Sequence, residues 1–504
     1  MFSIKSVDKR ERYLWIMNIM MLFIICQPFF DLLSFLYIRA YIPIGISTYA
    51  KPLIIGLINV YLLLVYRRHI VKCAITYGGY LILMIVHVFL MKDMLVETSV
   101  IFHEIRFMIN LLYMLICIWN LRILYVEATN KTKFAEYLKT TLVITIILYL
   151  ALFFVAVLSG TSGKTYEYSD GLKHGLKGWM DSGQIFGHCL CICLPFILSR
   201  FLNNDAKKKS VKIIVKILIV LPILTLCLIG TKVTYYIPIL VLLCQVCIEA
   251  FFAIRCKKKE HILNSAICVI CVGACLLAYP ITPVNQNIII NNSVLSVQPD
   301  DSSLEIMVEH EKELFSFDFD QGSEDGLDFE EADVSDEGSE MVKYPRRYYK
   351  NAIWTERALA VLEQKYADGE VHPLDMRAKQ LFFNYEKYKL ADIEFKIFGL
   401  GYLNQSEMAI ERDVLCVLFG FGVLGALLLL AYPIGLWFKS GFSILKRLSK
   451  TNMQTLCLFE GFSIFFFISW FAGYTFIYTN FSIFLVILMV LLNHEIKNTS
   501  GESK

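Results

Sequence analysis

The residues most able to do chemistry in this chain are polar groups set in or beside long apolar runs. Lipid makes such groups costly unless they face a cavity or a partner. Asp31 stands in the first run beside Gln27 and Pro28. A kinked helix with a paired carboxylate and a functional acid fit it equally well. Arg106 stands in HEIRFMINLLYML, about one to two turns inside the end of its run. A guanidinium grips phosphate as a two-pronged donor, so an anion is its natural partner. The plainer alternative is a side chain that snorkels to the surface. Glu104 is too near in sequence to share its helical face.

Gly230-Thr231-Lys232 makes a tight turn between two runs, with Lys232 its only charge. A helix N-terminus beside a lysine is a phosphate seat; a turn with a solvated lysine reads the same. The segment HGLKGWMDSGQIFG, 174–187, leads from a loop into the next run. Trp179 suits an interface belt. Asp181 can line a pocket; the plainer reading is a helix entry with Asp181 or Ser182 as its N-cap. Glu411-Arg412-Asp413 closes a long polar stretch. Carboxylates at i and i+2 do not share a helical face. One can accept a proton from a hydroxyl while the other caps or pairs. Gly420, Gly422 and Gly425 follow and permit a close approach by another helix. Arg357 and Arg377 sit in the long polar stretch, where a solvated face is the default for an arginine.

The elements that position these residues follow from composition. The 504 residues are 57% hydrophobic and only 18% charged, against about a quarter charged in a soluble domain. Apolar runs of about 17 to 25 residues, enough to span a bilayer core, recur along the chain. They predict an all-α, multi-pass membrane protein with about 12 transmembrane helices between Leu14 and Asn493. The first run, Leu14–Tyr37, is too long for a signal peptide and lacks a small-residue cleavage site after it. Lys and Arg occupy alternate connections, which puts both termini in the cytoplasm. The net charge of +3 carries little meaning, because the signs are segregated by region.

Three regions result. Residues 1–282 form a membrane domain, 283–412 a large extracytoplasmic loop, and 413–504 the last membrane runs with a cytoplasmic tail. Within the loop, 299–340 is strongly acidic and reads as a solvated, disordered insert. Asp318 and Asp320 start like an EF-hand, but the later ligand spacing is absent. Residues 343–401 are different. Trp354–Tyr366 and Asp375–Phe395 read as amphipathic helices lying over the outer mouth of the membrane domain.

Several function classes drop out. All 15 Cys lie in the apolar runs or their flanks, which suits small core residues better than disulfides or a metal site. No Walker loop, dinucleotide fingerprint, HExxH or GxSxG is present. No metal, cofactor or nucleic-acid partner is expected. No internal repeat appears in the hydropathy, which weakens an inverted-repeat transporter.

Taken in order, several phrases resemble the bacterial O-antigen ligase/polymerase superfamily. They are Arg106 with its aromatic-aliphatic run, HGLKGWMDSGQIFG continuing to CLPFIL, the GTK turn, and the large loop before the third-last run. The most specific are IFGLGY (Ile397–Tyr402) and IERDVLCVLFGFGVLG (Ile410–Gly425). In Gram-positive relatives a G-x-G-[YF] phrase is followed by E-x-D and then G-x-x-G within a helix. The resemblance implies a GT-C-like fold in the bacterial cell membrane and an undecaprenyl-diphosphate-linked oligosaccharide as donor. It implies that Arg106 and Arg377, with Arg357 and Lys232, hold the diphosphate. Trp179 and Asp181 would line the substrate, and Glu411 or Asp413 would be catalytic. Gram-negative ligases carry a His near the start of the glycine-rich late helix. This chain has Glu411 and Asp413 there instead, which leaves the base open and argues against a lipid A ligase.

The expected function is polymerisation of repeat units into a capsule or exopolysaccharide on the outer face. A ligase acting on another surface acceptor is the nearest alternative. A flippase of lipid-linked oligosaccharide should carry polar groups deep along its central helices, whereas the candidates here cluster at outer ends. A sensor or structural membrane protein is a third class. Membrane lipid and other polysaccharide-assembly proteins are the further expected partners.

Overall fold

The computed structural model describes residues 9–40, 46–92, 98–166, 173–204, 208–296, 346–401, 410, 412–471, 473, 475 and 478–500. Helices α1 (Lys9–Ile25) and α2 (Gln27–Arg39) meet at Cys26 with a 44° bend. Pro28, in the first turn of α2, removes an amide donor and sets the break. The run Leu14–Tyr37 is therefore a broken helix rather than a straight span. There follow α3 (Ile46–Val65), α4 (Ile70–Lys92), α5 (Thr98–Glu127) and α6 (Lys131–Leu158). A small antiparallel hairpin, β1 (Gly163–Lys164) with β2 (Leu176–Gly178), leads to α7 (Gly183–Leu202).

The membrane domain continues with α8 (Lys209–Ile217), α9 (Val220–Ile229), α10 (Lys232–Cys256) and α11 (Lys259–Ala278). The large loop supplies α12 (Pro283–Ser296), α13 (Arg346–Ala367), α14 (Met376–Leu390) and α15 (Ile393–Phe398). The chain ends with α16 (Asp413–Lys446), α17 (Met453–Phe471) and α18 (Thr479–Ser500). Among the described residues, 10 helices are long and apolar enough to cross a membrane, or 11 with the bent pair. One of these, Ser210–Ile229, joins α8 to α9. The remaining expected run corresponds to α3, whose apolar part Tyr49–Val65 is shorter.

Helices α7 and α18 form the centre. Of their most apolar stretches 94% and 83% is buried, against 22% for the helix containing α11. Both are mostly apolar, and their buried polar groups, such as Asn480 and Glu495, are hydrogen-bonded. Lipid tails are as apolar as leucine, so close packing and polar pairs hold such helices together rather than escape from water. Asn59 Nδ2 donates to Asn120 Oδ1 at 2.7 Å and ties α3 to α5. Lys139 reaches Glu495 at 2.7 Å and ties α6 to α18. Glu249 accepts from Asn203 at 2.9 Å and lies 2.6 Å from His261, which joins α7, α10 and α11.

The loop helices cap one end of this bundle. Leu359 and Leu362 of α13 pack on Phe383 of α14. Trp354, Ala391 and Phe395 pack on Leu90 and Met91 at the end of α4. Leu381 and Tyr388 of α14 lie against the membrane core. The expected helix Asp375–Phe395 breaks at Ala391–Asp392, giving α14 and α15. The acidic segment 299–340, with Asp318 and Asp320, lies outside the described residues.

Candidate active site

The two glycine phrases of the late chain meet backbone to backbone. Gly422 takes φ 68° and ψ −174° inside α16 and breaks it. The segment after α15 fills that break. The Leu400 amide donates to the Phe419 carbonyl at 2.8 Å, and the Gly401 amide to the Gly420 carbonyl at 3.0 Å. These bonds satisfy backbone groups that the broken helix leaves over. A Cβ on Gly399 would collide with the Gly420 carbonyl, and one on Gly422 with the Ile397 carbonyl. Only glycine fits either position.

His87 of α4 anchors this joint. Its Nδ1 donates to the Phe398 carbonyl at 2.8 Å, and its Nε2 lies 2.9 Å from Glu104 Oε1. The carbonyl only accepts, so Nδ1 carries a proton. Glu104, set aside as a partner for Arg106, has its partner on α4. Phe107 stacks on Phe421 at 5.4 Å. Arg106 is exposed while Glu104 and Phe107 on either side of it are buried.

A second pair of phrases also converges. Asn287 of α12 donates to the carbonyls of His174 at 2.7 Å and Gly230 at 2.9 Å. Its Oδ1 accepts from the His174 amide at 2.7 Å. The HGLKG segment and the GTK turn are therefore held side by side. Gly230 ends α9 with φ 82°, and the Thr231 hydroxyl caps α10 by accepting from the Thr234 amide at 3.2 Å. Lys232 opens α10 and is exposed. Ser182, not Asp181, caps α7, accepting from the Ile185 amide at 3.4 Å. Trp179 Nε1 donates to the Thr161 hydroxyl at 2.9 Å. Lys177 of β2 is buried; it donates to the Asp181 carbonyl at 3.0 Å and lies 5.8 Å from the Phe35 ring centre.

Two buried carboxylates sit at the same end. Asp31 accepts from Lys51 Nζ at 2.9 Å, Tyr149 OH at 2.7 Å and Asn480 Nδ2 at 2.5 Å. Lys51 also donates to Asn480. The network joins α2, α3, α6 and α18. The cavity between Asp31, Tyr149, Ser182 and Asn480 is about 10 Å³, room for about one water. It is too small for a sugar. Asp413 is fully buried, and its Oδ2 accepts from the amide and hydroxyl of Thr475. Of the acidic pair, Asp413 is thus the member that pairs. Glu411 lies outside the described residues.

On the capping helices, Arg377 stands four and eleven residues before Leu381 and Tyr388, on their helical face. That face lies against the membrane core. Arg377 and Arg357 are both exposed. Lys387 is fully buried, its Nζ 5.8 Å from the Phe383 ring centre. Burial pushes its pKa down to about 7. Lys379, Gln380 and Asn384 are buried on the same helix.

At this end Arg106, Lys232, Arg357 and Arg377 are exposed, while Lys177 and Lys51 are buried. Sequence reasoning missed Lys51, Lys177 and Lys387, since a lysine in a polar stretch or at a run's edge gives no sign of burial. Among the described residues no group of three or more His, Cys, Asp or Glu is placed to hold a metal ion. The larger cavity, about 790 Å³, lies at the opposite end of the bundle.

The fold defines an all-α, multi-pass membrane protein with a helical cap over one end. The chain belongs to the O-antigen ligase like membrane protein family, whose model matches residues 15–499. A comparison with curated proteins gave no match. Membership implies membrane-bound glycan transfer of the glycosyltransferase kind.

Proposed function

We propose that this protein polymerises undecaprenyl-diphosphate-linked oligosaccharide repeat units into a surface polysaccharide on the outer face of the bacterial membrane. The observation that carries the reading is the convergence at one end of the bundle. The two glycine phrases meet there backbone to backbone, and Asn287 joins the HGLKG segment to the GTK turn. An acceptor hydroxyl attacks the anomeric carbon, and the bond from that carbon to the diphosphate breaks. The hydroxyl proton passes to the Glu411 carboxylate. The negative charge leaves on undecaprenyl diphosphate, and fixed cations stabilise it as the bond breaks. Arg106, Arg377, Arg357 and Lys232 supply that charge, with Lys177 beside them. Trp179 and Asp181 line the substrate. Asp413 holds the α17–α18 connection against the start of α16 rather than taking the proton. Inversion at the anomeric carbon is the expectation carried by the family.

The test compares surface glycan size in cells lacking the chain with cells restored by wild type, Arg377→Ala or Glu411→Ala. Single lipid-linked repeat units should accumulate in the null strain and in both variants. Long polymer stranded on its lipid carrier would instead mean a ligase. An unchanged glycan profile in the null strain would overturn glycan transfer altogether.

A further inference from the structure

The cavity at the opposite end of the bundle has no role in the reaction above. It measures about 790 Å³ and lies between α1 and α6, well within the size range of small-molecule sites. Its lining changes character along its length. At the helix ends it is bordered by Lys9, Arg10, Thr129, Asn130 and Lys133. Deeper, it is bordered by Leu14, Met17, Asn18, Met21 and Thr141. From Lys9 to Met21 the α1 wall is about 18 Å long at 1.5 Å per residue. That distance runs from the interface well into the hydrocarbon.

Charge at the shallow end is positive. Glu127 is the acidic residue of the lining, and it is already engaged by Arg68 at 2.7 Å and His69 at 2.8 Å. Lys9, Arg10 and Lys133 border the same end and are basic. Lys9 and Lys133 also stand 5.7 Å from the ring centres of Tyr66 and Tyr137, a common arrangement at a headgroup level. Asn130 caps α6 by accepting from the Lys133 amide at 2.8 Å, so the positive end of the α6 dipole opens on the same space.

We infer that this cavity is a binding site for an anionic phospholipid drawn from the bilayer leaflet on that side. The phosphate sits among Lys9, Arg10 and Lys133, and an acyl chain lies along Leu14, Met17 and Met21. A free phosphate uses the cations and leaves Leu14, Met17 and Met21 in water. A zwitterionic lipid fills the groove without matching its charge. Basic residues beside a membrane are each a favourable electrostatic contact with anionic lipid, and acyl burial adds to it.

The experiment uses the full-length purified protein, stripped of lipid in neutral detergent. Its unfolding temperature is followed as dioleoylphosphatidylglycerol, dioleoylphosphatidylcholine or glycerol 3-phosphate is added. Ligand that binds only the folded protein raises that temperature in a saturable way. The phosphatidylglycerol curve should saturate, with an apparent affinity at least about tenfold above that of phosphatidylcholine. Glycerol 3-phosphate should give no shift. The triple variant Lys9→Gln, Arg10→Gln, Lys133→Gln should lose the preference. The control Lys257→Gln, Lys258→Gln, Lys259→Gln removes equal charge from an exposed turn at the same end and should keep it. Leu14→Trp, which fills the apolar part, should abolish the shift and serves if the triple variant does not fold. Equal response to both lipids, a shift with glycerol 3-phosphate, or a preference that survives in the cavity variants overturns the assignment.

Discussion

Near neutral pH the Lys387 amine and ammonium are nearly balanced, because burial brings its pKa from 10.5 to about 7. The unfolded chain keeps its proton up to about pH 10, while the folded chain gives it up near 7. Between those values unfolding takes up a proton, so folded-state stability rises with pH across that window. Below about pH 7 both states are charged and the burial cost is fully present. Lys387→Met should remove this slope and stabilise the protein at neutral pH, by on the order of 3–5 kcal/mol. Thermal unfolding of both proteins between pH 6 and 10 checks it; parallel curves would mean the ammonium is not desolvated. Asp31 differs, because Lys51, Tyr149 and Asn480 surround it with donors. Removing one member of such a network costs more than the network itself contributes, since it strands the others. The sequence marked Asp31 as unusual, since a carboxylate in an apolar run is rare. It could not name the three partners, which come from other helices.

At the scale of elements, the joint between the α15–α16 segment and the break in α16 is the feature on which the cap depends. Backbone approach there leaves no space for a side chain, and Gly399 and Gly422 hold positive φ values of 96° and 68°. Gly399→Ala adds a strained conformation and a collision with a carbonyl. It should destabilise the protein by roughly 2–4 kcal/mol. It should also expose the capping helices to limited proteolysis before the membrane helices. Gly435, with open space at its Cβ position, is the matched control: Gly435→Ala should be neutral or slightly stabilising. Unchanged melting in Gly399→Ala would mean the joint is loose. The spacing of IFGLG and GFGVLG was legible in the sequence as a pair of glycine phrases. Their pairing was not, because glycine serves turns, helix contacts and strands alike.

At the scale of the whole molecule, helix ends divide the protein into a capped end with the candidate site and a basic end with the lipid-sized cavity. Basic connections between the long helices predict that the uncapped end is cytoplasmic. A reporter fused after Lys258 should therefore be active as a cytoplasmic fusion, and one fused after Arg357 as an extracytoplasmic fusion. The reverse pattern would put the capping helices inside the cell and exclude chemistry on the outer face. That α7 and α18 form the buried centre is decided by the tertiary structure, since other long apolar helices such as α6 are less buried. Helices without a polar face have no surface to give to water, although periodicity alone cannot say which of them lies innermost.

The sequence by itself determined the class of the molecule. A bilayer demands runs of fixed length with every backbone group bonded internally, so apolar runs show as helices with no need of partners. It also singled out Asp31, Arg106 and Asp413, because ionisable groups stand out against an apolar background. Tertiary structure decided everything that depends on which helices are neighbours. It turned Asp413 inward onto Thr475, gave Glu104 to His87, buried Lys387, and set the HGLKG segment beside the GTK turn through Asn287. The physical reason is common to all four: hydrogen bonds and desolvation act over a few ångströms between groups far apart in the chain, and sequence order carries no record of that distance.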